Sequence, residues 1–223
     1  MKKILIVATS HDRMGSTVRK TGVWWEELFV PYALWTAHGF EVTVASPKGG
    51  KVPVDPESLK SGDPVAAQFR ATHGAVLRNS RPLGTISAAD YDAVFYPGGH
   101  GLLWDLATDL ENAALLRKFL DRKKLVAAVC HGPGAFGVET ERFTGYRATA
   151  FSNAEERLVH LDSVTPFSVE DRLRAAGVHY SAVTPWQEYV VCDRDLITGQ
   201  NPQSSRAVAE AVKIGRASWR ERV

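Results

Sequence analysis

The chain has few cysteines, with only two among its 223 residues. Cys130 and Cys192 stand far apart, without the close spacing that is typical of a metal site or a disulfide framework. We therefore expect a reducing, cytoplasmic setting and no bound metal. The sequence also lacks an apolar run long enough to span a membrane, so no membrane partner is expected. The apolar stretch 4–8 is too short for a signal peptide and predicts a first strand.

No surplus of either charge remains once the last ten residues are set aside. The formal net charge is +2, but residues 214–223 hold three arginines and one glutamate, which leaves 24 basic and 24 acidic residues. This segment does not continue the pattern before it. We expect it to be a non-native read-through tail, the alternative being a short basic tail that belongs to the protein. The neutral remainder gives no reason to expect a nucleic-acid partner.

Repeats, linkers and low-complexity tracts are absent from the sequence, which favours a single domain over residues 1–213. Strand and helix patterns alternate, and this predicts a three-layer, doubly wound α/β fold of flavodoxin-like type with a mostly parallel sheet. Strands are expected over 3–8, 40–45, 93–96, 125–129 and 147–151, with a hairpin over 190–198. Helices are expected over 21–38, 110–122, 153–159, 169–176 and 204–212, with a short one near 65–70.

The segment 125–134, LVAAVCHGPG, is the most informative part of the chain. Five apolar residues end abruptly at Cys130 and His131, which predicts a buried parallel strand, a sharp turn and a helix start. The cysteine would stand at the corner, as in the nucleophile elbow of hydrolases. Amides at the helix start are expected to lower the pKa of the thiol. The simpler alternative is a buried structural cysteine followed by a capping turn.

A second glycine-rich turn, YPGGHG at 96–101, ends another predicted strand. The carboxyl ends of parallel strands meet at one edge of a sheet, so this turn is expected to lie beside Cys130. Its glycines allow backbone amides to approach a ligand closely. We expect the amides of Gly99 and His131 to form an oxyanion hole. Taken alone, the motif is better explained by ordinary turn chemistry, and its pairing with Cys130 is what makes it informative.

Together these motifs resemble the ThiJ/PfpI superfamily of class I glutamine-amidotransferase-like proteins over about residues 1–212. The branch that the chain resembles is the glutathione-independent glyoxalase III and heat-shock chaperone type. Glutaminase activity is not expected, because that class uses a late His-x-Glu pair, whereas His179 is followed by Tyr180 and Ser181. The matching segments are 20–22, 31–32, 45–50, 92–101, 104–106, 127–133, 151–156, 166–167, 196–202 and 204–205, with Glu27.

The resemblance implies roles for four side chains. Cys130 matches the family nucleophile, His131 its neighbouring histidine, and Glu156 the acid that orients this histidine. Glu27 matches the helix carboxyl that touches the thiol. A carboxyl held against a thiolate should have a raised pKa and could carry a proton.

Other candidates are weaker. Glu26 and Glu155 are adjacent alternatives to Glu27 and Glu156, and each is expected on a solvated helix face. His100 either lines the pocket or only follows the turn, and Trp186 walls the pocket or, as the pattern favours, belongs to the core. The remaining cysteine and histidines are expected in structural, surface or loop positions: Cys192, His11, His73, His160 and His179.

The resemblance implies conversion of methylglyoxal, or a similar small α-oxoaldehyde, to a hydroxy acid through a cysteine hemithioacetal. No cofactor is expected, and a homodimer is. Two alternatives stay open: a cysteine peptidase or amidase, and a stress chaperone or redox sensor in which Cys130 is an oxidation site. The segment 136–145 is shorter than the corresponding loop of the family, which is expected to widen the pocket.

Overall fold

The structure, a computed structural model, describes residues 2–60, 71 and 74–214. The helix expected near 65–70, His73 and residues 215–223 of the expected tail lie outside this part of the chain. Nine strands are present in it: β1 (Lys3–Val7), β2 (Glu41–Ser46), β3 (Arg81–Pro82), β4 (Ala93–Tyr96), β5 (Leu125–Val129), β6 (Arg147–Ala148), β7 (His179–Tyr180), β8 (Val190–Asp193) and β9 (Leu196–Gly199). Five α-helices lie wholly within it, namely α1 (Trp25–Ala37), α2 (Leu110–Asp121), α3 (Asn153–Leu158), α4 (Val169–Ala175) and α5 (Ser205–Ile214), and residues 74–78 are helical as well.

Seven of these strands form one sheet in the order β3-β2-β1-β4-β5-β9-β8. All neighbours are parallel except β8 and β9, which form the antiparallel hairpin expected from the sequence. In the middle of the sheet, β4 pairs with β1 on one side and with β5 on the other. The glycine-rich turn after β4 and the turn after β5 that carries Cys130 therefore lie side by side, at the carboxyl ends of adjacent strands.

Helices cover both faces of the sheet. Side chains alternate along a strand, so Ile4 and Ile6 join the core beneath α1 and α5, while Leu5 and Val7 join the core beneath α2 and α4. Strands buried on both faces explain the continuous apolar runs in the sequence. The expected mostly parallel, doubly wound α/β fold is confirmed. No helix in the described part of the chain is long and apolar enough to cross a membrane.

Two expected elements are shorter than predicted because some of their backbone amides are hydrogen-bonded to other segments of the chain. The first helix begins at Trp25 rather than at residue 21, since the Val23 amide donates to Pro53 O at 2.9 Å. The strand expected over 147–151 stops at Ala148, where β6 pairs with β7 in a separate two-stranded sheet. Beyond it, the Phe151 amide donates to Cys130 O at 2.9 Å, which ties this segment to the end of β5.

Candidate active site

Cys130 stands at a strained corner directly after β5. Its φ is +58°, in the left-handed region that side chains other than glycine rarely adopt. The main chain is held on both sides, because its amide donates to Gly199 O at 2.9 Å and its carbonyl accepts from Phe151. The residue is only 3% exposed. The expected elbow is present, followed by a 3-10 segment over Gly132–Phe143 that is interrupted at Gly137.

The Glu27 carboxyl lies against the elbow from α1. Its Oε2 accepts a hydrogen bond from the Gly98 amide at 2.6 Å, while Oε1 is buried without a hydrogen-bond partner among the residues that the structure describes. A Cβ at position 98 would stand 2.6 Å from Glu27 Oε2 and 2.8 Å from Cys130 Cβ. Only glycine fits there, so the glycine-rich turn, the carboxyl and the thiol pack against one another without intervening atoms.

The pKa values of this pair are shifted in the same direction. Burial raises the pKa of Glu27 well above its usual range, as the sequence predicts. Burial, followed by the charge of Glu27, also raises the pKa of the Cys130 thiol. The expected lowering of the thiol pKa is therefore wrong. The His131 amide does act in that direction, but desolvation and the neighbouring carboxyl outweigh it. The buried thiol needs a base to become a nucleophile.

His131 supplies such a base. Its Nδ1 lies 3.3 Å from Cys130 Sγ, and its Nε2 lies 2.7 Å from Glu156 Oε2. Burial opposes ionisation of Glu156, but the neighbouring His131 and His100 hold the pKa of this carboxyl well below its usual range. An ionised carboxylate only accepts hydrogen bonds, so we assign the His131 proton to Nε2. The lone pair of neutral His131 then faces the thiol.

A second histidine shares the same carboxylate. His100 Nε2 lies 2.8 Å from Glu156 Oε1, and the rings of His100 and His131 are 4.0 Å apart. Donor atoms of the three residues lie within 4.8 Å of one another, a spacing that a metal ion could bridge. Both Nε2 atoms are already bonded to Glu156, so an ion bound through these two atoms would have to replace both hydrogen bonds. The metal-free site expected from the sequence stays a prediction.

An aromatic stack leads from His131 to the surface. The Phe151 ring lies 4.5 Å from the His131 ring, and Trp186 packs edge-on against Phe151 at 5.7 Å. Trp186 is 39% exposed, so the prediction favoured for it, a core aromatic, is wrong. Its φ of +66° is also strained. Phe151 belongs to the matching segment 151–156, but no role in the pocket was predicted for it, because its place depends on the hydrogen bond to Cys130 O.

Glu155 is the largest departure from the sequence-based expectations for single residues. The expected solvated carboxylate is fully buried. Its two oxygens accept hydrogen bonds from groups in three chain segments: Ser152 N at 2.9 Å and Oγ at 2.7 Å, Trp186 N at 3.0 Å, Gln200 Nε2 at 3.1 Å and Asn201 Nδ2 at 2.9 Å. The sequence signal that could have indicated the bonds between Glu155 and Ser152 is the pattern Ser-x-x-Glu at 152–155, a helix-capping box.

Substitution of Glu155 by glutamine is expected to destabilise the fold. One carboxylate oxygen becomes an amide donor that faces N–H groups, which leaves buried polar groups unpaired at a cost of about 1–3 kcal/mol. For a domain of this size the melting temperature should fall by roughly 2–4 °C per kcal/mol. Thermal unfolding measures this, with Glu188→Gln, at an exposed glutamate, as control. An unchanged melting temperature for Glu155→Gln would refute a structural role for these bonds.

The other candidates lie largely where they were expected. Gly99 adopts φ +95°, and its amide remains only a predicted oxyanion donor. His11 is half-buried and stacks on Trp104 at 5.6 Å. The following residues are exposed: Glu26, His160, His179 and Cys192.

The fold and the site define a class of protein. It is a doubly wound α/β protein with a buried cysteine on a strained strand-to-helix elbow, next to a histidine–carboxylate pair and a second buried carboxyl.

Comparison with known proteins gives the family. Residues 18–213 match the model of the DJ-1/PfpI family, and the chain belongs to this family. The chain is 32% identical to the glutathione-independent glyoxalase HSP31 of Saccharomyces cerevisiae, over 93% of this chain and 95% of the relative. These matches confirm the resemblance inferred from the motifs.

Solved structures agree. The X-ray structure of the Rapid Encystment Protein 24 kDa of Francisella tularensis is 36% identical with a TM-score of 0.91, covering 96% of this chain and 98% of that one. The crystal structure of glyoxalase III from Candida albicans is 26% identical with a TM-score of 0.87, covering 95% and 96%.

Proposed function

We propose that the chain is a glutathione-independent glyoxalase that converts methylglyoxal, or a similar small α-oxoaldehyde, to a hydroxy acid. The observation that carries the proposal is the 3.3 Å approach of Cys130 Sγ to His131 Nδ1, with the opposite ring nitrogen held by Glu156. The buried Glu27 carboxyl beside the same thiol adds a second proton-transfer group. Relatives that match nearly the whole chain carry the names glutathione-independent glyoxalase and glyoxalase III.

In the first step, His131 Nδ1 takes the thiol proton and the sulfur attacks the aldehyde carbon. A carbon–sulfur bond forms, and the aldehyde oxygen becomes an oxyanion. The amides of Gly99 and His131 are the proposed donors to this oxygen. Glu156 stabilises the imidazolium that forms, as the third member of a triad does. Return of the proton to the oxygen gives a hemithioacetal.

In the second step, the hydrogen on the former aldehyde carbon is removed as a proton and the neighbouring ketone oxygen is protonated, which gives an enediol. Reprotonation at the former ketone carbon and loss of the hydroxyl proton leave a thioester. Glu27 and His131 carry these protons, and a raised pKa suits Glu27 to this exchange. Water then hydrolyses the thioester to lactate and the free thiol. One carbon is oxidised while its neighbour is reduced, so no external oxidant is needed.

The proposal extends to the setting of the enzyme. It comprises a single domain over residues 1–213, a homodimer, a cytoplasmic location and no nucleic-acid partner. The small number of cysteines supports the location, and the balance of charges over residues 1–213 supports the absence of a nucleic-acid partner.

Incubation of the purified chain with methylglyoxal and no glutathione tests the function. We expect lactate to form, and Cys130→Ala to lower its formation by about 1,000-fold or more because the nucleophile is lost. Cys192→Ser, which alters an exposed cysteine, is the matched control and should be fully active.

Lactate formation that survives Cys130→Ala would overturn the mechanism, and no lactate from folded protein would overturn the substrate. Cleavage of amide or peptide substrates would instead support the hydrolase alternative. Suppression of aggregation that is unaffected by Cys130→Ala, without aldehyde turnover, would support the chaperone alternative.

A further inference from the structure

We propose that His100 is a positioning residue that holds Glu156 in place and thereby sets the proton position on the His131 ring. The inference rests on the proposed function only where turnover is measured. Its basis is the geometry of one carboxylate shared between two imidazoles. Oε1 of Glu156 is bonded to His100 at 2.8 Å, and Oε2 is bonded to His131 at 2.7 Å.

Both carboxylate oxygens are thus occupied, and the carboxylate is fixed in plane. Without His100, Oε1 would lose its partner in a buried site, and the carboxyl could rotate about its last side-chain bond toward another donor. Either change would loosen the bond that keeps the His131 proton on Nε2. The thiol would then face a ring nitrogen that carries a proton for part of the time, which could not accept another.

The conformation of the backbone around His100 directs this ring toward Glu156. Gly99 adopts φ +95°, and a Cβ there would lie 2.3 Å from Gly22 O, so the turn is packed tightly against the segment that precedes α1. His100 begins a short 3-10 turn and is 6% exposed. Its ring lies against the His131 ring and meets Phe151 edge-on at 6.4 Å. The glycine-rich motif therefore has a second use, which is to deliver a histidine donor to Glu156.

His100 can donate without adding a positive charge. Burial, followed by the nearby His131, lowers the pKa of His100, which favours the neutral form of this ring. Its Nδ1 is buried without a hydrogen-bond partner in the described part of the chain, which agrees with a neutral ring whose proton is on Nε2. A neutral His100 thus donates to Glu156 Oε1 across 2.8 Å without adding a charge of its own.

Two amide substitutions at position 100 separate positioning from simple lining of the pocket. Glutamine carries its amide nitrogen near the place of histidine Nε2 and can still donate to Glu156, whereas the shorter asparagine cannot reach it. Each variant is prepared with Cys192→Ser, so that Cys130 is the only thiol. His179→Gln, at an exposed histidine, is the matched control.

We expect His100→Asn to lower kcat for methylglyoxal by about 10- to 100-fold, as loss of a partner that orients a functional histidine does, with KM nearly unchanged. His100→Gln should restore most of kcat. Nitrogen-15 NMR of the imidazole rings should show His131 protonated at Nε2 in the parent and in His100→Gln, and a mixture of tautomers in His100→Asn. Alkylation of Cys130 by iodoacetamide should slow in parallel with the loss of kcat.

An unchanged His131 tautomer and alkylation rate in His100→Asn would overturn the proposal. So would a raised KM with unchanged kcat in both variants, which would make His100 a substrate contact. The NMR and alkylation measurements need no substrate. If wild-type protein forms no lactate, they still decide the role of His100, while the proposed function fails separately.

Discussion

Replacing Glu156 with glutamine is expected to lower the turnover of methylglyoxal by about 1,000- to 10,000-fold, the scale seen when the acid of a catalytic triad becomes an amide. The two imidazoles both present an N–H to this side chain, at 2.7 and 2.8 Å. Glutamine offers one acceptor and one donor, so one ring must move its proton to Nδ1 or break its bond. When that ring is His131, its Nδ1 carries a proton that points at the sulfur, so this nitrogen cannot accept the thiol proton.

Steady-state kinetics with methylglyoxal measure this loss, and Glu141→Gln, at an exposed glutamate, is the control. Activity of Glu156→Gln within tenfold of wild type would exclude the assigned hydrogen-bond roles. The pH dependence of stability gives an independent check. The folded-state pKa of Glu156 lies below its usual 4.5, so its stabilising contribution is present above that pH and is lost as the pH falls through the folded-state value. Acidification below 4.5 should destabilise wild type more than Glu156→Gln.

The second large effect is expected for Glu27→Gln, in which turnover and thiol reactivity should change in opposite directions. Loss of a proton-transfer group should lower kcat by about 100-fold or more. Glutamine also cannot ionise, so it excludes the charged form of Glu27 that raises the pKa of Cys130, although the larger contribution, burial, remains. At a pH high enough to ionise Glu27 in the wild type, more thiolate should therefore be present in the variant, and alkylation by iodoacetamide should become faster. Both rates are compared in a Cys192→Ser background.

The same substitution should stabilise the fold at higher pH. The pKa of Glu27 is raised by folding, so the folded state retains a proton that the unfolded chain releases, and stability falls as the pH rises above the usual value of 4.5. Glutamine has no proton to lose, so the melting temperature of Glu27→Gln should exceed that of wild type at neutral pH. Glu188→Gln, at an exposed glutamate, should change neither rate nor stability. Slower alkylation together with a lower melting temperature would contradict the account of Glu27 given above.

The parts of the fold that the sequence predicts well are those set by local patterns. The apolar runs that end at Pro97 and Cys130 gave β4 and β5 with their observed bounds. The short strand β6 was predicted too long, because residues after Ala148 bond to distant groups. The Thr149 amide, for example, donates to the Thr198 hydroxyl at 2.9 Å, and the local sequence contains no pattern that predicts such a bond.

The candidate site shows the same division. The corner position of Cys130 follows from the strand pattern, whereas the contact of Glu156 with His131 was inferred from the family resemblance. The direction of the thiol pKa was wrong because desolvation and the approach of Glu27 arise from three-dimensional packing. Glu155 was misplaced on a solvated face for a related reason. Its partners Gln200 and Asn201 lie on a segment far along the chain.

The main-chain bonds that hold the elbow also determine when in folding the site can exist. The amide and carbonyl of Cys130 are paired with Gly199 and Phe151, so three distant stretches of chain must dock before the sulfur adopts its strained position. A partly folded or incompletely synthesised chain that lacks β9 carries the same cysteine without this geometry. The base His131 and the carboxyl Glu27 are therefore brought to the sulfur only when the central sheet is assembled.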